Sequence, residues 1–531
     1  MLAGKAEATY EVLLDAAHDA WCDALGQANV LGGAGRFGAD TSSFSGEIPF
    51  VLRPQCVEHV QAAMRIAQQF RVAVYPVSTG RNWGYGTAVP VRSPAVVMDL
   101  SGMNRIIDFD TELGVVTVQP GVTQGQLSEY LENNSLPFLV PVTGAGPTCS
   151  LLANALERGF GVTPMTDHFG AVVSMQVALP DGSLYESYTR SFSGSGLAQA
   201  YRWGTGPYLD GLFSQSNLGI VVDVSITLQR RSEQEAALLF VLDSNQQVEP
   251  ATSEIRALLG ECGTSIGGIN LMSRARVSSM LLGAANLKGI DSPPAIPKGA
   301  WFGFGSVYGT RDHYRATCRR IQKRLRPIAG GIRFYTSQDA RRLLWIADAA
   351  ERLGITALTG MAERLAAATG VVAGVPSMFA LPLAYAKSGR PLALRESMNP
   401  ALDGCGLLWY SPLIPMRSGY VVRFLEFAEG TCAKHGLDAP ITLTSLSARC
   451  YASTIPILFD RSSSESEGRA KACFEELVRE GMKLGFVPYR MGAEYMHLLQ
   501  SGTPSCGRLA QTLRQSLDRD GVLAPGRYSF D

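Results

Sequence analysis

The alternation of apolar and polar positions changes character along the 531-residue chain. Between Phe50 and Thr87 it predicts a βαβ unit. Val51-Leu52 reads as a short strand, Val57, Val60, Met64 and Ala67 recur at helical spacing, and Val72–Val77 is a second, β-branched strand. That run ends in a glycine-rich loop, Ser78-Thr79-Gly80-Arg81-Asn82-Trp83-Gly84-Tyr85-Gly86. Ala95–Asp99, Arg105–Asp108 and Val115–Val118 are short strand candidates, the last stopped by Pro120-Gly121, and Gln124–Asn133 suits a helix. Val172–Leu179 alternates, turns at Asp181-Gly182 and returns through Leu184-Tyr185, a hairpin signal, and Val221–Leu228 predicts another strand. The first ~230 residues read as mixed α and β with many short strands.

From about residue 231 helical periods dominate, over 311–325, 338–369 and 417–436, with β-runs at Ala236–Leu242 and Ile441–Leu446. This predicts a second α+β unit ending near 480. Ser462–Ser466 reads as a surface loop, and the chain closes with an amphipathic stretch, Leu509–Leu517, and a Pro525-Gly526 stop. Leu365–Ala386 carries no charge and is long enough to span a bilayer. Gly370, Gly374, Pro376 and Pro382 interrupt it, so a buried connection inside a soluble domain is expected.

Composition narrows the classes. With 46% hydrophobic and 18% charged residues the chain is globular rather than disordered. Its 47 Lys and Arg balance 47 Asp and Glu, leaving no broad basic surface for nucleic acid. Six histidines make a many-histidine metal site unexpected, and no metal is expected. None of the ten cysteines forms a C-x-x-C pair, which removes the zinc-ribbon and thioredoxin signatures. Free thiols and a start without a basic, then apolar, leader favour a cytoplasmic, non-membrane protein. Gly33-Ala34-Gly35-Arg36-Phe37-Gly38 matches G-x-G-x-x-G but lacks the strand-then-helix context, and reads as a coincidental loop. No P-loop lysine motif, H-E-x-x-H or G-x-S-x-G occurs.

The loop 78–86 is the chemical lead. It follows a strand and holds three glycines with Ser, Thr and Asn donors. Backbone N–H groups in such a loop can cradle a pyrophosphate, and glycine allows close approach and positive φ. An ordinary βα turn is the plain alternative. The loop resembles the flavin loop of the vanillyl-alcohol oxidase and p-cresol methylhydroxylase family. Glu157-Arg158-Gly159-Phe160-Gly161-Val162-Thr163-Pro164-Met165-Thr166-Asp167-His168 resembles that family's next cofactor segment. The run Gly206–Val221, with Ser214-Gln215-Ser216-Asn217-Leu218-Gly219-Ile220 at its heart, resembles a third. Pro488-Tyr489-Arg490 and Leu523-Ala524-Pro525-Gly526-Arg527 resemble two more.

The resemblance implies an α+β, two-domain flavoprotein. Its FAD-binding domain is split between residues 1–230 and 481–531, around an α+β cap at 231–480. FAD would be held by Ser78, Thr79, Gly80, Arg81, Asn82, Gly84, Gly86, Asn217, Gly219, Ile220 and Arg527. Tyr85, Tyr489 and Arg490 would hold a para-substituted phenol as phenolate, with Trp409 and Tyr451 also at the substrate. Two hydroxyl donors and a permanent cation lower a phenol's pKa. Hydride would then leave the benzylic carbon for flavin N5, giving a quinone methide, with Asp167 as acid–base group. Oxygen or an electron-accepting partner would reoxidise the flavin, and a homo-oligomer is compatible.

Departures from the family pattern matter. The histidine that tethers FAD in some members is matched by Leu407, the tyrosine of others by Asn399, and the first-loop histidine of related flavoproteins by Asn82. The cysteine that some add aligns with Gly146, with Cys149 three residues on. Non-covalent FAD is therefore expected. Tyr451-Ala452-Ser453 replaces a His-His pair, implying an unusual para substituent, larger or more apolar. Three other readings stay open: a same-fold flavin enzyme of a non-phenolic alcohol, amine or hydroxy acid, a flavin-binding protein with little turnover, and a cofactor-free scaffold.

Overall fold

The computed structural model describes all residues except 1, 87, 193, 195, 290–295, 297, 353–357, 389–397, 503 and 529–531. The βαβ unit forms as expected. Phe50–Leu52 and Val74–Val77 both pair in parallel with Val96–Asp99, and Val30–Gly32 adds an antiparallel edge. The intervening helix Val57–Phe70 buries Val60, Ala63, Met64 and Ala67, the stripe its spacing predicts. A preceding helix, Leu2–Leu25, packs Ala17, Trp21 and Leu25 into the same core.

A second, antiparallel sheet runs in the order Ile106–Asp110, Val115–Val118, Ile220–Thr227, Val172–Ala178, Leu184–Glu186. Its central strand Ile220–Thr227 is buried on both faces except at its last residue, and its one carboxylate, Asp223, is paired with Arg190. The predicted hairpin is present, its turn closed by Leu179 N–H donating to the Ser183 carbonyl.

An eight-stranded antiparallel sheet follows, built on Gln234–Leu242, Ile266–Ser273, Trp301–Gly309, Gly330–Tyr335, Cys405–Tyr410, Leu413–Pro415, Thr442–Ser447 and Cys450–Asp460. Helices Val248–Cys262, Arg311–Leu325, Tyr420–Lys434 and Ser464–Lys483 pack on it around one large apolar core. Several of these strands escape the apolar pattern because glycines replace side chains. A Cβ on Gly303 would lie 2.2 Å from Phe240 on the neighbouring strand. The run 338–369 divides into helices Ser337–Glu351 and Thr359–Val372, with residues between them outside the described set. Ser462–Ser466 is not a loop throughout. Ser463 Oγ accepts the Ser466 N–H at 3.2 Å and caps the helix Ser464–Lys483.

The C-terminal segment returns to the first sheet. Val74 N–H donates to the Val522 carbonyl and Ala524 N–H to the Val74 carbonyl, each at 2.8 Å. Leu365–Ala386 folds as the end of a helix and a short 3-10 turn, Leu381–Tyr385. Among the described residues no helix is long and apolar enough to cross a membrane, and no group of three His, Cys, Asp or Glu could hold a metal.

Candidate active site

The loop 78–86 leaves the strand Val74–Val77 with Gly80, Gly84 and Gly86 at φ of 65°, 79° and 69°. Only glycine adopts that region at little cost. Two of these glycines are also needed for space. A Cβ on Gly84 would sit 2.3 Å from Trp409 Cδ1, and one on Gly86 2.4 Å from Ala493 Cβ. The loop is thus clamped between the strand Cys405–Tyr410 and the segment after Arg490. Thr79 Oγ1 accepts the Ser150 N–H at 3.1 Å, Arg81 lies over the Trp83 ring, and half-buried Ser78 opens the turn.

Tyr85, Tyr489 and Arg490 come together. The Arg490 guanidinium carbon lies 5.0 Å from the Tyr85 ring centre and 5.5 Å from that of Tyr489. The Tyr85 and Ser411 hydroxyls are 2.6 Å apart, and the Ser411 carbonyl accepts the Tyr489 N–H at 3.1 Å. Ser411 therefore positions both tyrosines. Burial and the facing Tyr489 raise the Tyr85 pKa against the pull of Arg490 and Ser411, so Tyr85 is a protonated donor at neutral pH.

Arg490 is held on several sides. Its Nε donates to the Glu157 carbonyl at 3.0 Å and its Nη1 to Asn82 Oδ1 at 3.0 Å. Burial disfavours its charge, but Tyr489, Glu157 and Tyr85 outweigh that, and its pKa stays above the ordinary value. Gln215 Nε2 donates to the Tyr489 carbonyl at 2.9 Å, and Phe160 packs 5.5 Å from the Tyr489 ring. Segments far apart in the chain thus converge on two adjacent residues.

The Glu157 side chain links this cluster to the tail. It accepts from Arg527, and from the Tyr528 hydroxyl at 2.9 Å. Arg527 also donates to the Tyr75 hydroxyl. Asn217 Nδ2 donates to the Ala524 carbonyl at 3.3 Å, Gly219 leaves no room for a Cβ beside Val177, and buried Ile220 opens the central strand.

Trp409 reaches the trio, its ring stacked 6.4 Å from that of Tyr85. Tyr451 does not. It is fully buried in the core of the eight-stranded sheet, paired with Ile414 and Ser445 across it. Asp167 is not brought to the trio either. Its carboxylate is exposed and accepts the Gly170 N–H at 2.8 Å, a turn-capping role. The next residue is the buried one. His168 Nδ1 is 2.5 Å from Asn154 Nδ2, which leaves the ring proton on Nε2, and Nε2 has no hydrogen-bond partner. Burial, then Arg490, pushes the His168 pKa down to about 4.

Glu157 and His168 stand at the two ends of a quoted cofactor segment without a role of their own, and Ser411 is not singled out. Arg276, which lies over the Trp409 ring, carried no sequence signal at all. At the tethering positions, Leu407 is buried with its Cγ 3.1 Å from where a Gly84 Cβ would stand, and Asn399 Oδ1 accepts the Leu402 N–H. Cys149 is buried, and burial pushes its thiol pKa up.

A large polar cofactor fits these residues. The left-handed glycines leave a side-chain-free cradle, and the buried His168 Nε2 and Trp83 Nε1 have no protein partner. Comparison with known proteins agrees. Residues 48–187 match the family model described as an FAD binding domain. The chain is 31% identical to the 1'-carboxy-chondrochloren decarboxylase of Chondromyces crocatus, over 97% of both proteins. It is 27% identical to the 4-cresol dehydrogenase [hydroxylating] flavoprotein subunit of Pseudomonas putida, over 90% of this chain and 86% of that one. It superimposes on the crystal structure of substrate-bound p-cresol methylhydroxylase with a TM-score of 0.84, covering 98% and 97% of the two chains at 24% identity. End-to-end similarity at this level, with the glycine cradle and the converging segments, makes the chain an FAD-dependent oxidoreductase of the vanillyl-alcohol oxidase and p-cresol methylhydroxylase family.

Proposed function

We propose that the enzyme oxidises a 4-hydroxyaryl substrate at its benzylic carbon, with Tyr85, Tyr489 and Arg490 holding the phenol oxygen. The observation that carries this reading is the packing of one buried guanidinium against two tyrosine rings, with Ser411 fixing both tyrosines. Two O–H donors and a cation around one point stabilise an oxyanion, and a closed site strengthens each contact. A phenolate there pushes electron density toward its para carbon, which eases loss of hydride from the attached benzylic carbon and leaves a quinone methide. FAD, when bound, supplies the hydride acceptor.

The remaining residues sort around that step. Ser78–Gly86, Asn217, Gly219, Ile220 and Arg527 would hold the cofactor. Buried His168, rather than exposed Asp167, is placed to present a proton donor there, and Trp409 walls the ring against Tyr85. Leu407 and Asn399 offer the flavin no nucleophile, so FAD is held without a covalent bond. Residues 1–230 and 481–531 form the cofactor domain and 231–480 the cap.

The relatives' names differ in what is done at the far end of the substrate, from hydroxylation of a cresol to decarboxylation of a carboxy compound. The para substituent and the electron acceptor are thus where this member would have its own chemistry. The test is anaerobic titration of the holoenzyme with para-substituted phenols and with the same compounds lacking the hydroxyl. Flavin bleaching by the phenols alone supports the reading. Equal bleaching by both sets, or by neither, overturns it.

A further inference from the structure

Arg276 is a second buried cation near Tyr85, and it is unlike the first. It is only 9% exposed, and its Nε and Nη1 have no hydrogen-bond partner. Among the described residues no Asp or Glu lies within ion-pair distance of it. Arg490, by contrast, already donates to the Glu157 carbonyl and Asn82. Leaving a buried charge uncompensated is strongly unfavourable, so a chain that keeps one has a reason outside its own hydrogen bonds.

The local structure fixes where that charge sits. Arg276 is in the first turn of the helix Arg274–Lys288, where Ser273 Oγ accepts its N–H. A cation at that end opposes the helix dipole, whereas an anion would be favoured by both. Its guanidinium carbon lies 5.1 Å from the Trp409 ring centre, and Trp409 stacks in turn on Tyr85. Stacking on tryptophan holds the guanidinium plane and leaves its edge free. Burial pulls the Arg276 pKa down to about 10, which still leaves it charged at neutral pH.

We propose that Arg276 is the carboxylate-binding residue of the substrate pocket, so that the substrate is a 4-hydroxyaryl acid whose anionic group lies on the para side. The proposal rests on the phenol reading above and names the other end of the same molecule. A single guanidinium with no second cation beside it matches a monoanion. A phosphate dianion would keep half its charge uncompensated. Carboxylate oxygens also fit the guanidinium edge two at a time. The apolar substituent expected from Tyr451-Ala452-Ser453 is thereby replaced by a charged one, since Tyr451 faces the cap core.

The test uses holoenzyme and flavin difference spectra with four ligands: 3-(4-hydroxyphenyl)propionate, its primary amide, 4-propylphenol and 3-phenylpropionate. The wild type should bind the hydroxy acid about 10- to 100-fold more tightly than the amide, the range for a charge-assisted contact. Arg276→Met should abolish that preference while leaving amide and 4-propylphenol binding and FAD content unchanged. Arg276→Lys should retain part of it. With its lone buried charge gone, Arg276→Met should also melt no lower than wild type without ligand, which separates lost recognition from lost folding. Equal binding of acid and amide by wild type overturns the proposal. So does a variant that loses FAD, which would make the cofactor the anion that Arg276 meets. If 3-phenylpropionate binds as well as the hydroxy acid, and through Arg276, the carboxylate site stands and the phenol reading falls.

Discussion

Ser411 shares a hydrogen bond with the Tyr85 hydroxyl across 2.6 Å and, through its carbonyl, accepts the Tyr489 N–H, so a single residue holds both tyrosines. Removing the hydroxyl frees the Tyr85 ring without touching the fold. Ser411→Ala should slow flavin reduction by a phenol about 3- to 10-fold, the worth of one neutral hydrogen bond. Stopped-flow reduction checks it, and an unchanged rate would separate Ser411 from the chemistry.

Arg490 is the charge in the cluster, so its removal should weigh more. Arg490→Ala should cut the reduction rate at least about 10- to 100-fold, and Arg490→Lys should recover only part, because a point charge does not reproduce the planar contacts to Glu157 and Asn82. The measurement is the limiting reduction rate at saturating substrate. Loss confined to substrate affinity would count against a transition-state role.

His168 predicts an acid-side loss of stability. Its pKa falls from 6.5 in the unfolded chain to about 4 in the fold. Above pH 6.5 the ring is neutral in both states. Between 6.5 and 4 only the unfolded chain takes up the proton, so stability falls with pH by roughly 3 kcal/mol at most, and below 4 this contribution stops growing. His168→Gln should flatten that part of the pH–stability curve. Chemical denaturation at half-unit pH steps measures it.

Gly84→Ala should damage the site through the backbone. The new methyl would meet Trp409 at 2.3 Å while φ stays at 79°. A cost of about 2 kcal/mol or more is expected, seen as a lower melting temperature and a smaller FAD content. The same substitution at Gly404, with φ of 75° but open space, should cost less and leave FAD bound.

FAD should leave the protein on denaturation. Leu407 and Asn399 occupy the tethering positions, and the buried Cys149 and Cys405 near the loop both have their thiol pKa raised by burial. All flavin should appear in the supernatant of an acid precipitate. Flavin fluorescence on the denatured band, or a mass increase of one FAD, would show a covalent bond.

How much was legible beforehand follows from where each signal resides. The βαβ unit, the hairpin and the helix Gln124–Asn133 write themselves into local periods and turn residues. Tyr85, Tyr489 and Arg490 lay inside recognisable segments because each segment carries its own turn chemistry. Arg276 did not, since its meaning comes from the register that sets Trp409 beside it and from the lack of an acid nearby. Asp167 and His168 differ by one residue, and only the turn closed by Gly170 N–H decides which of them faces inward. Tyr451 illustrates the same limit in a strand, where a one-residue step selects the face.

The pairing of Val74 with Val522 and Ala524 has a bearing on how the molecule is made. Tyr75 meets Arg527, 452 residues later in the chain. A ribosome that has finished the glycine loop has still to produce nearly everything that closes over it. The early sheets can form during synthesis, but the set around Glu157 also needs Arg527 and Tyr528. A chain lacking residues 522–528 should therefore still form its early sheets but retain little FAD.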